Sequence, residues 1–208
     1  MAGSPATRPT DWRRLLLATS NPGKLDEIRD ALAGVTIELV TLAELTRVPE
    51  PEETGATFAD NARLKALYYA DRYGLPAVAE DSGLVIDAMN GEPGVRSARF
   101  LGADASYAER FAEIERRLAP HPEASRTARF VCAAVIVADR EVAFEATGAV
   151  DGVIADTPAG SNGFGYDPIF FYPPYNATFG EVSKEAKLRV SHRGRTFRQV
   201  AAWLRNPG

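Results

Sequence analysis

Apolar and polar residues alternate in blocks along the first part of the chain. Residues 15–18 are apolar and, with residue 19, predict a buried strand. The polar residues 20–24 follow, and a helical pattern then runs from residue 25 to 32, where Gly34 can end it. Residues 37–40 predict a second strand. The pattern therefore predicts a strand, a polar turn, a helix and a strand in that order.

A longer helical pattern begins after an acidic, proline-rich loop at residues 49–55. Thr57 can cap this helix, which is predicted to reach residue 73 and to stop at Gly74. Asn61 and Lys65 are four residues apart and share a face, while apolar side chains line a neighbouring face. The helix is thus expected to bury one side and to present an amide and an ammonium on another.

Two adjacent acids, Glu80 and Asp81, lie between the short apolar runs 75–78 and 84–86. The sequence predicts that a buried strand ends at these acids, with Gly83 allowing a turn or a close approach to a ligand. Ionised groups at such a place need a cation, a metal or water. The stretch is therefore either a cation-binding site or a solvated strand end.

The middle of the chain reads as scaffold. A helix is predicted at residues 106–118, and two long strands are predicted at 129–138 and 141–150, joined by a tight turn at residues 139 and 140. At the other end of the chain, the C-terminal residues predict a basic amphipathic helix. Its inward-facing residues are predicted to be Phe197, Val200, Ala201 and Leu204.

Three segments have the composition of ligand-binding loops. The turn at residues 20–24 precedes a helix, whose N-terminus attracts phosphate, and Lys24 adds a positive charge. The spacing of a Walker loop is missing, and this segment taken alone favours an ordinary turn with an exposed lysine over a phosphate site. The loop at residues 49–55 could offer a carboxylate to a metal or could simply be solvated. Around residues 160–167, glycines alternate with Phe164 and Tyr166, which favours close approach to a flat ligand.

Charge narrows the classes of partner. The 208 residues contain 24 Lys and Arg against 28 Asp and Glu, a net charge of -4, which argues against a general nucleic-acid binder. Basic residues nevertheless gather near the C-terminus and predict a local patch suited to a small phosphate-bearing molecule. The residues of this patch are Lys184, Lys187, Arg189, His192, Arg193, Arg195 and Arg198.

The remaining features concern location and termini. Cys132 is the single cysteine, so an intrachain disulfide is excluded and a reducing compartment is favoured. No apolar run approaches the roughly 20 residues of a membrane span, and we expect a cytoplasmic protein with no membrane partner. Residues 1–14 are expected to form a flexible extension.

Six segments occur in the order found in Ham1-like inosine triphosphate pyrophosphatases: TSNPGK at 19–24, FADNARLKA at 58–66, EDSGL at 80–84, GEPG at 91–94, GFGYDPIF at 163–170 and SHR at 191–193. The chain resembles this family from residue 15 to about residue 204. Arg96 departs from the pattern, because the family commonly has an aromatic residue there. This difference concerns loop packing or a dimer surface.

The resemblance implies a fold, a reaction and an assembly. The fold would be α/β, a mixed sheet with flanking helices and two lobes around a deep central cleft, formed by a single Ham1-like domain at residues 15–208. The reaction would be hydrolysis of ITP, dITP and XTP to the monophosphate and pyrophosphate, with Mg²⁺ as cofactor. The assembly would be a homodimer.

The resemblance also implies roles for individual residues. Asp81 is similar to the family's general base and metal ligand, and Glu53 is similar to its second metal ligand. The implied substrate-binding residues at the phosphate end are Thr19, Ser20, Asn21, Pro22, Gly23, Lys24 and Lys65, with Ser82 beside them. Those implied at the nucleoside end are Phe164, Gly165, Tyr166, Asp167, Lys187, His192 and Arg193.

Donors at the nucleoside end would accept a 6-keto purine and reject adenine, although no residue identifies itself as the filter against guanine. Two other classes stay open. A Maf-like enzyme would hydrolyse modified pyrimidine triphosphates, but the motifs at 164–167 and 191–193 speak against it. A nucleotide sensor without catalysis would lack the metal carboxylates, whereas Glu53 and Asp81 are both present.

Overall fold

The computed structural model describes residues 12–120 and 126–206. Within these ranges seven strands share one hydrogen-bonded order, β2-β1-β3-β4-β5-β6-β7. The strands are β1 Arg14–Leu17, β2 Glu38–Thr41, β3 Ala77–Ile86, β4 Thr127–Ala138, β5 Glu141–Ile154, β6 Phe170–Tyr172 and β7 Ala177–Thr178. β1 pairs in parallel with β2 and β3, whereas β6 is antiparallel to β5 and β7. The sheet is therefore mixed.

Five α-helices accompany these strands in the described part of the chain. They are α1 Pro22–Ala31, α2 Phe58–Tyr73, α3 Tyr107–Leu118, α4 Lys184–Val190 and α5 His192–Arg205. Short 3₁₀ segments connect several elements, among them Gly94–Arg99 and Asp167–Ile169. The mixed sheet with flanking helices confirms the predicted α/β fold class.

The chain divides into two compact units. The first takes in the described residues of Met1–Asp81, Cys132–Gly148 and Arg193–Gly208, and the second those of Ser82–Val131 and Ala149–His192. Of the extension predicted at residues 1–14, residues 1–11 lie outside the described ranges. Trp12 is described and packs its ring 5.8 Å from that of Trp203. The single domain at 15–208 and the central cleft stay predictions.

The first unit is built from the two faces of β1. Successive strand side chains point to opposite faces, so Leu15 and Leu17 join one buried cluster and Leu16 joins another. The first cluster contains residues of α1 and α5, including Phe197, Val200, Ala201 and Leu204, as the predicted amphipathic helix requires. The second contains the apolar face of α2. Helices thus cover both faces of this part of the sheet.

The second unit has a core of its own. Ile114 and Leu118 of α3 pack there with buried residues of β3, β4, β5 and β6. Phe130, Phe170 and Phe179 form its centre, with ring centroids 4.5 to 6.2 Å apart. This aromatic cluster supports the segment that carries the loop at residues 160–167, because Phe170 begins the strand directly after that loop.

Local signals placed several element ends correctly. Thr57 caps α2 by accepting a hydrogen bond from Asp60 N at 3.1 Å, and Gly74 ends the helix with φ 62°. Asp139 and Arg140 both have positive φ, which is the combination of the two-residue hairpin turn predicted there. The predicted caps and hairpin turn are confirmed.

The predicted end of a strand at Glu80 and Asp81 is wrong. β3 runs without a break from Ala77 to Ile86, so both acids lie inside the strand. β1 pairs with β3 only at Ala77 and Val78, and β4 is the hydrogen-bonded neighbour of β3 on its other side, so tertiary pairing outweighs the low strand preference of Asp, Ser and Gly. The two acids are consequently buried, and cations from neighbouring elements must meet them.

Candidate active site

Glu80 and Asp81 point to opposite faces of β3 and therefore meet different cations. Asp81 lies on the face covered by α2, where Lys65 Nζ is 3.6 Å from its Oδ1. Glu80 lies on the face covered by α1 and α5, where Lys24 Nζ is 2.7 Å from its Oε1. Strand alternation thus gives each acid its own direct ion-pair partner, while Lys24 and Lys65 each also act on the other acid at longer range.

Lys65 joins two carboxylates from different segments. Its Nζ lies 2.5 Å from Oε1 of Glu53, in the loop before α2, as well as 3.6 Å from Asp81 Oδ1 in β3. The Lys65 side chain is 14% exposed and that of Asp81 is 7% exposed. Two acids that are 28 residues apart in sequence therefore converge on one largely buried cation.

Burial and charge act against each other at this site. Burial raises the pKa of the Asp81 carboxyl above its ordinary value, and the neighbouring Lys65 and Lys24 only partly offset this. For Lys65, burial disfavours the charged form, but Asp81, Glu53 and Glu80 outweigh it and raise the pKa. The result is a carboxylate of raised basicity beside an ammonium that stays protonated, a combination suited to a general base.

Asn61 is the other polar residue that α2 contributes. It is fully buried, its Nδ2 donates to Asp81 Oδ2 at 3.0 Å, and its Oδ1 accepts from Gly55 N at 2.7 Å. The spacing of four residues predicts that Asn61 and Lys65 share a helix face. The sequence does not predict the hydrogen bond from the Asn61 amide to Asp81.

On the other face of β3, Glu80 is held by three groups. Besides Lys24, Arg193 Nη2 lies 3.5 Å from Glu80 Oε2, and Cys132 Sγ donates to the same oxygen at 3.2 Å. Burial opposes the charge on Glu80, but Lys24 and Arg193 outweigh it and hold its pKa well below the ordinary range. Arg193 also pairs with Glu27 of α1 at 2.6 Å. This is a buried network centred on Glu80.

A polar turn joins β1 to α1 as predicted, but the helix begins at Pro22 and not at residue 25. Asn21 caps α1 by accepting from Lys24 N at 3.1 Å. Thr19 Oγ1 accepts from Asn21 N at 3.3 Å, while Ser20 is exposed and Gly23 is half-buried. A cavity of about 840 Å³ adjoins the turn, lined in part by Thr19, Ser20 and Pro22. The N-terminus of α1 thus lies beside open space, while the Lys24 ammonium points to the buried Glu80.

In the second unit, the loop at residues 160–167 folds around Asp167. The buried Asp167 carboxylate pairs with Lys187 Nζ at 2.5 Å and accepts from Phe164 N at 2.7 Å. The Lys187 ammonium lies 4.7 Å from the centroid of the Phe164 ring. Gly163 has φ 72°, and a Cβ there would overlap the Asp167 carboxylate, so the loop requires glycine.

Two other predicted nucleoside-end residues have structural neighbours in the same unit. Tyr166 is buried, its hydroxyl donates to the Ser97 carbonyl at 2.9 Å, and its ring meets that of Tyr107 edge-on. His192 is buried and stacks on Phe130, with ring centroids 4.7 Å apart. Gly165 has φ 65°, and Ser82 follows Asp81 in β3 half-buried.

The predicted cationic patch near the C-terminus is divided. Lys187, His192 and Arg193 are buried, whereas Arg195 and Arg198 are exposed. Lys187 is directed at Asp167 and Arg193 at Glu27, because a buried charge requires a partner. The seven basic residues therefore do not act as one surface patch, and any effect of Arg193 on a base would be indirect.

A divalent cation can be tested against the residues present. Among the residues that the structure describes, no group of three or more His, Cys, Asp or Glu side chains could hold a metal alone. Mg²⁺ commonly takes only one or two carboxylates and completes its shell with water and substrate phosphates. Glu53 and Asp81, whose carboxylates both approach the Lys65 ammonium, fit such a site.

In residues 12–120 and 126–206, no helix is both long and apolar enough to cross a membrane.

Taken together, the mixed sheet, the helix N-terminus beside Lys24 and the acids around Lys65 define an α/β protein whose site suits phosphate chemistry. Comparison with known proteins makes this class specific. The model of the Ham1 family matches residues 15–203. The chain belongs to the Ham1 family.

Individual relatives cover nearly the whole chain. It is 46% identical over 184 residues to the dITP/XTP pyrophosphatase of Geobacter sulfurreducens, which covers 88% of this chain and 92% of that one. It is 43% identical to the dITP/XTP pyrophosphatase of Yersinia pseudotuberculosis, with 93% and 99% covered. The structure of a HAM1 protein from Coxiella burnetii is similar at a TM-score of 0.85 and 38% identity, with 92% and 98% covered.

Proposed function

We propose that this protein hydrolyses the non-standard purine nucleoside triphosphates ITP, dITP and XTP to the monophosphate and pyrophosphate. The observation that carries the proposal is the convergence of Glu53 and Asp81 on Lys65. The names of the relatives from Geobacter sulfurreducens and Yersinia pseudotuberculosis support the same substrate class. Removal of such nucleotides from the cellular pool would be its role.

Asp81 is the proposed catalytic residue. Its carboxylate would accept a proton from a water molecule that attacks the α-phosphorus, and the bond from that phosphorus to the pyrophosphate oxygen would break. Burial raises the pKa of Asp81, which makes its carboxylate a stronger base, while Lys65 and Lys24 oppose this shift. Glu53 and Asp81 would hold Mg²⁺, which when bound neutralises phosphate charge.

The phosphate end of the substrate is assigned to the β1–α1 turn and to α2. The α1 N-terminus would face the phosphates, and Lys24 and Lys65 would stabilise charge on the departing pyrophosphate. Binding would require both lysines to exchange part of their carboxylate contacts for phosphate oxygens. The proposed residues are Thr19, Ser20, Asn21, Pro22, Gly23, Lys24 and Lys65, with Ser82 next to the base.

The nucleoside end is assigned to Phe164, Gly165, Tyr166, Asp167, Lys187 and His192. Phe164 offers a ring for stacking, and its position is fixed through Asp167 and Lys187. Donors in this segment would bind a 6-keto oxygen and would oppose the 6-amino group of adenine. A site built to hydrogen-bond a substrate group can reject an analogue lacking it by roughly 10⁴-fold.

One assay separates this function from the alternatives. The purified protein is incubated with Mg²⁺ and a panel of purine and modified pyrimidine triphosphates, and the products are identified. We expect ITP, dITP and XTP to give monophosphate and pyrophosphate, with ATP a very poor substrate. Release of orthophosphate, turnover of modified pyrimidines alone, or binding without turnover would each contradict the proposal.

A homodimer and a cytoplasmic location are part of the same proposal. The family resemblance implies the dimer, and a nucleotide pool is the expected source of the substrate. The buried thiol of Cys132 agrees with a reducing compartment, because its hydrogen bond to Glu80 requires a reduced cysteine. Light scattering of the purified protein tests the assembly, and a monomer mass at working concentration would contradict it.

A further inference from the structure

We infer that Asn61 is a positioning residue that fixes the carboxylate of Asp81 and ties it to the loop carrying Glu53. The inference deepens the proposed function, on which it rests for the roles of the two acids. Asn61 has no assigned role in that function. Its side chain reaches both the loop and the strand from one buried position on α2.

The chain itself decides which way the Asn61 amide is turned. The backbone N–H of Gly55 can only donate, so the side-chain atom 2.7 Å from it must be the carbonyl oxygen. The NH₂ group then lies on the Asp81 side, 3.0 Å from Oδ2. An amide is the side chain that supplies an acceptor and a donor at these two ends.

This contact determines how Asp81 is presented. Its Oδ2 accepts from Asn61, while its Oδ1 is the oxygen near Lys65. Rotation of the carboxylate about its Cβ–Cγ bond would break the hydrogen bond to Asn61. Since Asn61 is fully buried, bulk water cannot readily replace that bond. Asn61 therefore keeps the Oδ1 atom of Asp81 directed toward the Lys65 ammonium.

The same amide sets the position of the acidic loop. Gly55 lies two residues after Glu53, and a Cβ on Gly55 would fall 2.6 Å from Asn61 Oδ1 and from Asp60 Cβ. Only glycine allows the loop to approach α2 this closely. The distance between the carboxylates of Glu53 and Asp81 thus depends on a bridge that passes through Asn61.

Manganese binding tests the inference without relying on turnover. Free Mn²⁺ is measured by electron paramagnetic resonance during titration of the full chain without nucleotide. Groups that orient metal ligands typically contribute 10- to 100-fold in metal affinity or activity. We expect Asn61→Ala to weaken Mn²⁺ binding by about 10-fold or more and to lower kcat for ITP comparably. The control Asn206→Ala, which removes an exposed amide bonded to Ala202 O, should leave both values unchanged.

The outcomes are distinct. A folded Asn61→Ala protein with wild-type Mn²⁺ affinity overturns the inference whatever its Tm, as does a wild type that shows no saturable Mn²⁺ binding. If Asn61→Ala does not fold, Gly55→Ala is measured instead, because a Cβ at residue 55 would displace the Asn61 oxygen. We expect Gly55→Ala to weaken Mn²⁺ binding as well. Wild-type Mn²⁺ affinity in Gly55→Ala would overturn the inference. A wild type whose Mn²⁺ affinity depends on Asn61 but which hydrolyses no triphosphate would refute the proposed function and leave this inference standing.

Discussion

Substitution of Glu80 by glutamine tests the buried network on the α1 and α5 face of β3. The change keeps the shape of the side chain but removes the charge that faces Lys24 and Arg193. Breaking a buried ion pair by removal of one partner commonly costs about 3 to 5 kcal/mol. Here the cost should lie near the lower limit, because the Lys24 side chain is 18% exposed and Arg193 keeps its pair with Glu27.

We therefore expect Glu80→Gln to lower the free energy of unfolding by about 3 kcal/mol. For a protein of this length, this corresponds to a fall in Tm of about 6 to 12 °C. The assay is denaturant unfolding of both proteins in metal-free buffer at several pH values. Glu38→Gln is the matched control, since Glu38 forms an exposed pair with Arg14 whose loss should cost less than about 1 kcal/mol.

The pH dependence of the difference follows from the pKa shift. The folded-state pKa of Glu80 lies below its ordinary value of 4.5, so its contribution to stability is complete above that value. It is lost as the pH falls through the lowered pKa. The difference between wild type and Glu80→Gln should thus be constant near neutrality and shrink in acid. Equal unfolding free energies at neutral pH, or a difference that grows on acidification, would refute the reasoning.

Further predictions concern substrate handling at three residues and stability at Arg193. Lys65→Ala should lower kcat/KM for every triphosphate by a similar factor, about 10²-fold or more, and a changed base preference would contradict its assignment to phosphate. Asp167→Asn removes the charge that holds the Lys187 ammonium beside Phe164, so kcat/KM for ITP should fall toward that for ATP; unchanged selectivity would assign base recognition to other residues. His192→Ala should erode the same selectivity, whereas Arg193→Lys should mainly lower Tm, as measured by thermal unfolding.

Local signals were sufficient to predict both ends of α2. Thr57 marks the start of α2 and Gly74 marks its end, because capping depends on residues within one turn of the helix end. The predicted start of α1 at residue 25 was three residues late, because Asn21 caps the helix and Pro22 begins it. The prediction for α2 required no information about distant parts of the chain.

The sequence did not predict contacts between segments that are distant along the chain. The sequence predicted a strand end at the acid pair because it could not show that β3 would continue past its pairing with β1 as a neighbour of β4. The ion pair of Glu27 and Arg193 joins residues 166 positions apart, and neither residue carries a local signal of the other. The sequence therefore identified the acids and lysines of the candidate site. It did not predict which acid pairs with which lysine, or that these groups are buried.

The central claim is that Asp81 performs the chemistry, and turnover by Asp81→Asn tests it most directly. Burial disfavours the ionised carboxylate, so the neutral amide should leave Tm at or above that of the wild type. The matched control is Asp71→Asn, which changes an exposed acid on α2 that pairs with Arg140 and should keep full activity. With ITP and Mg²⁺, the account predicts that a folded Asp81→Asn protein releases pyrophosphate at least about 10³-fold more slowly than the wild type. Pyrophosphate release at a rate near that of the wild type would contradict it.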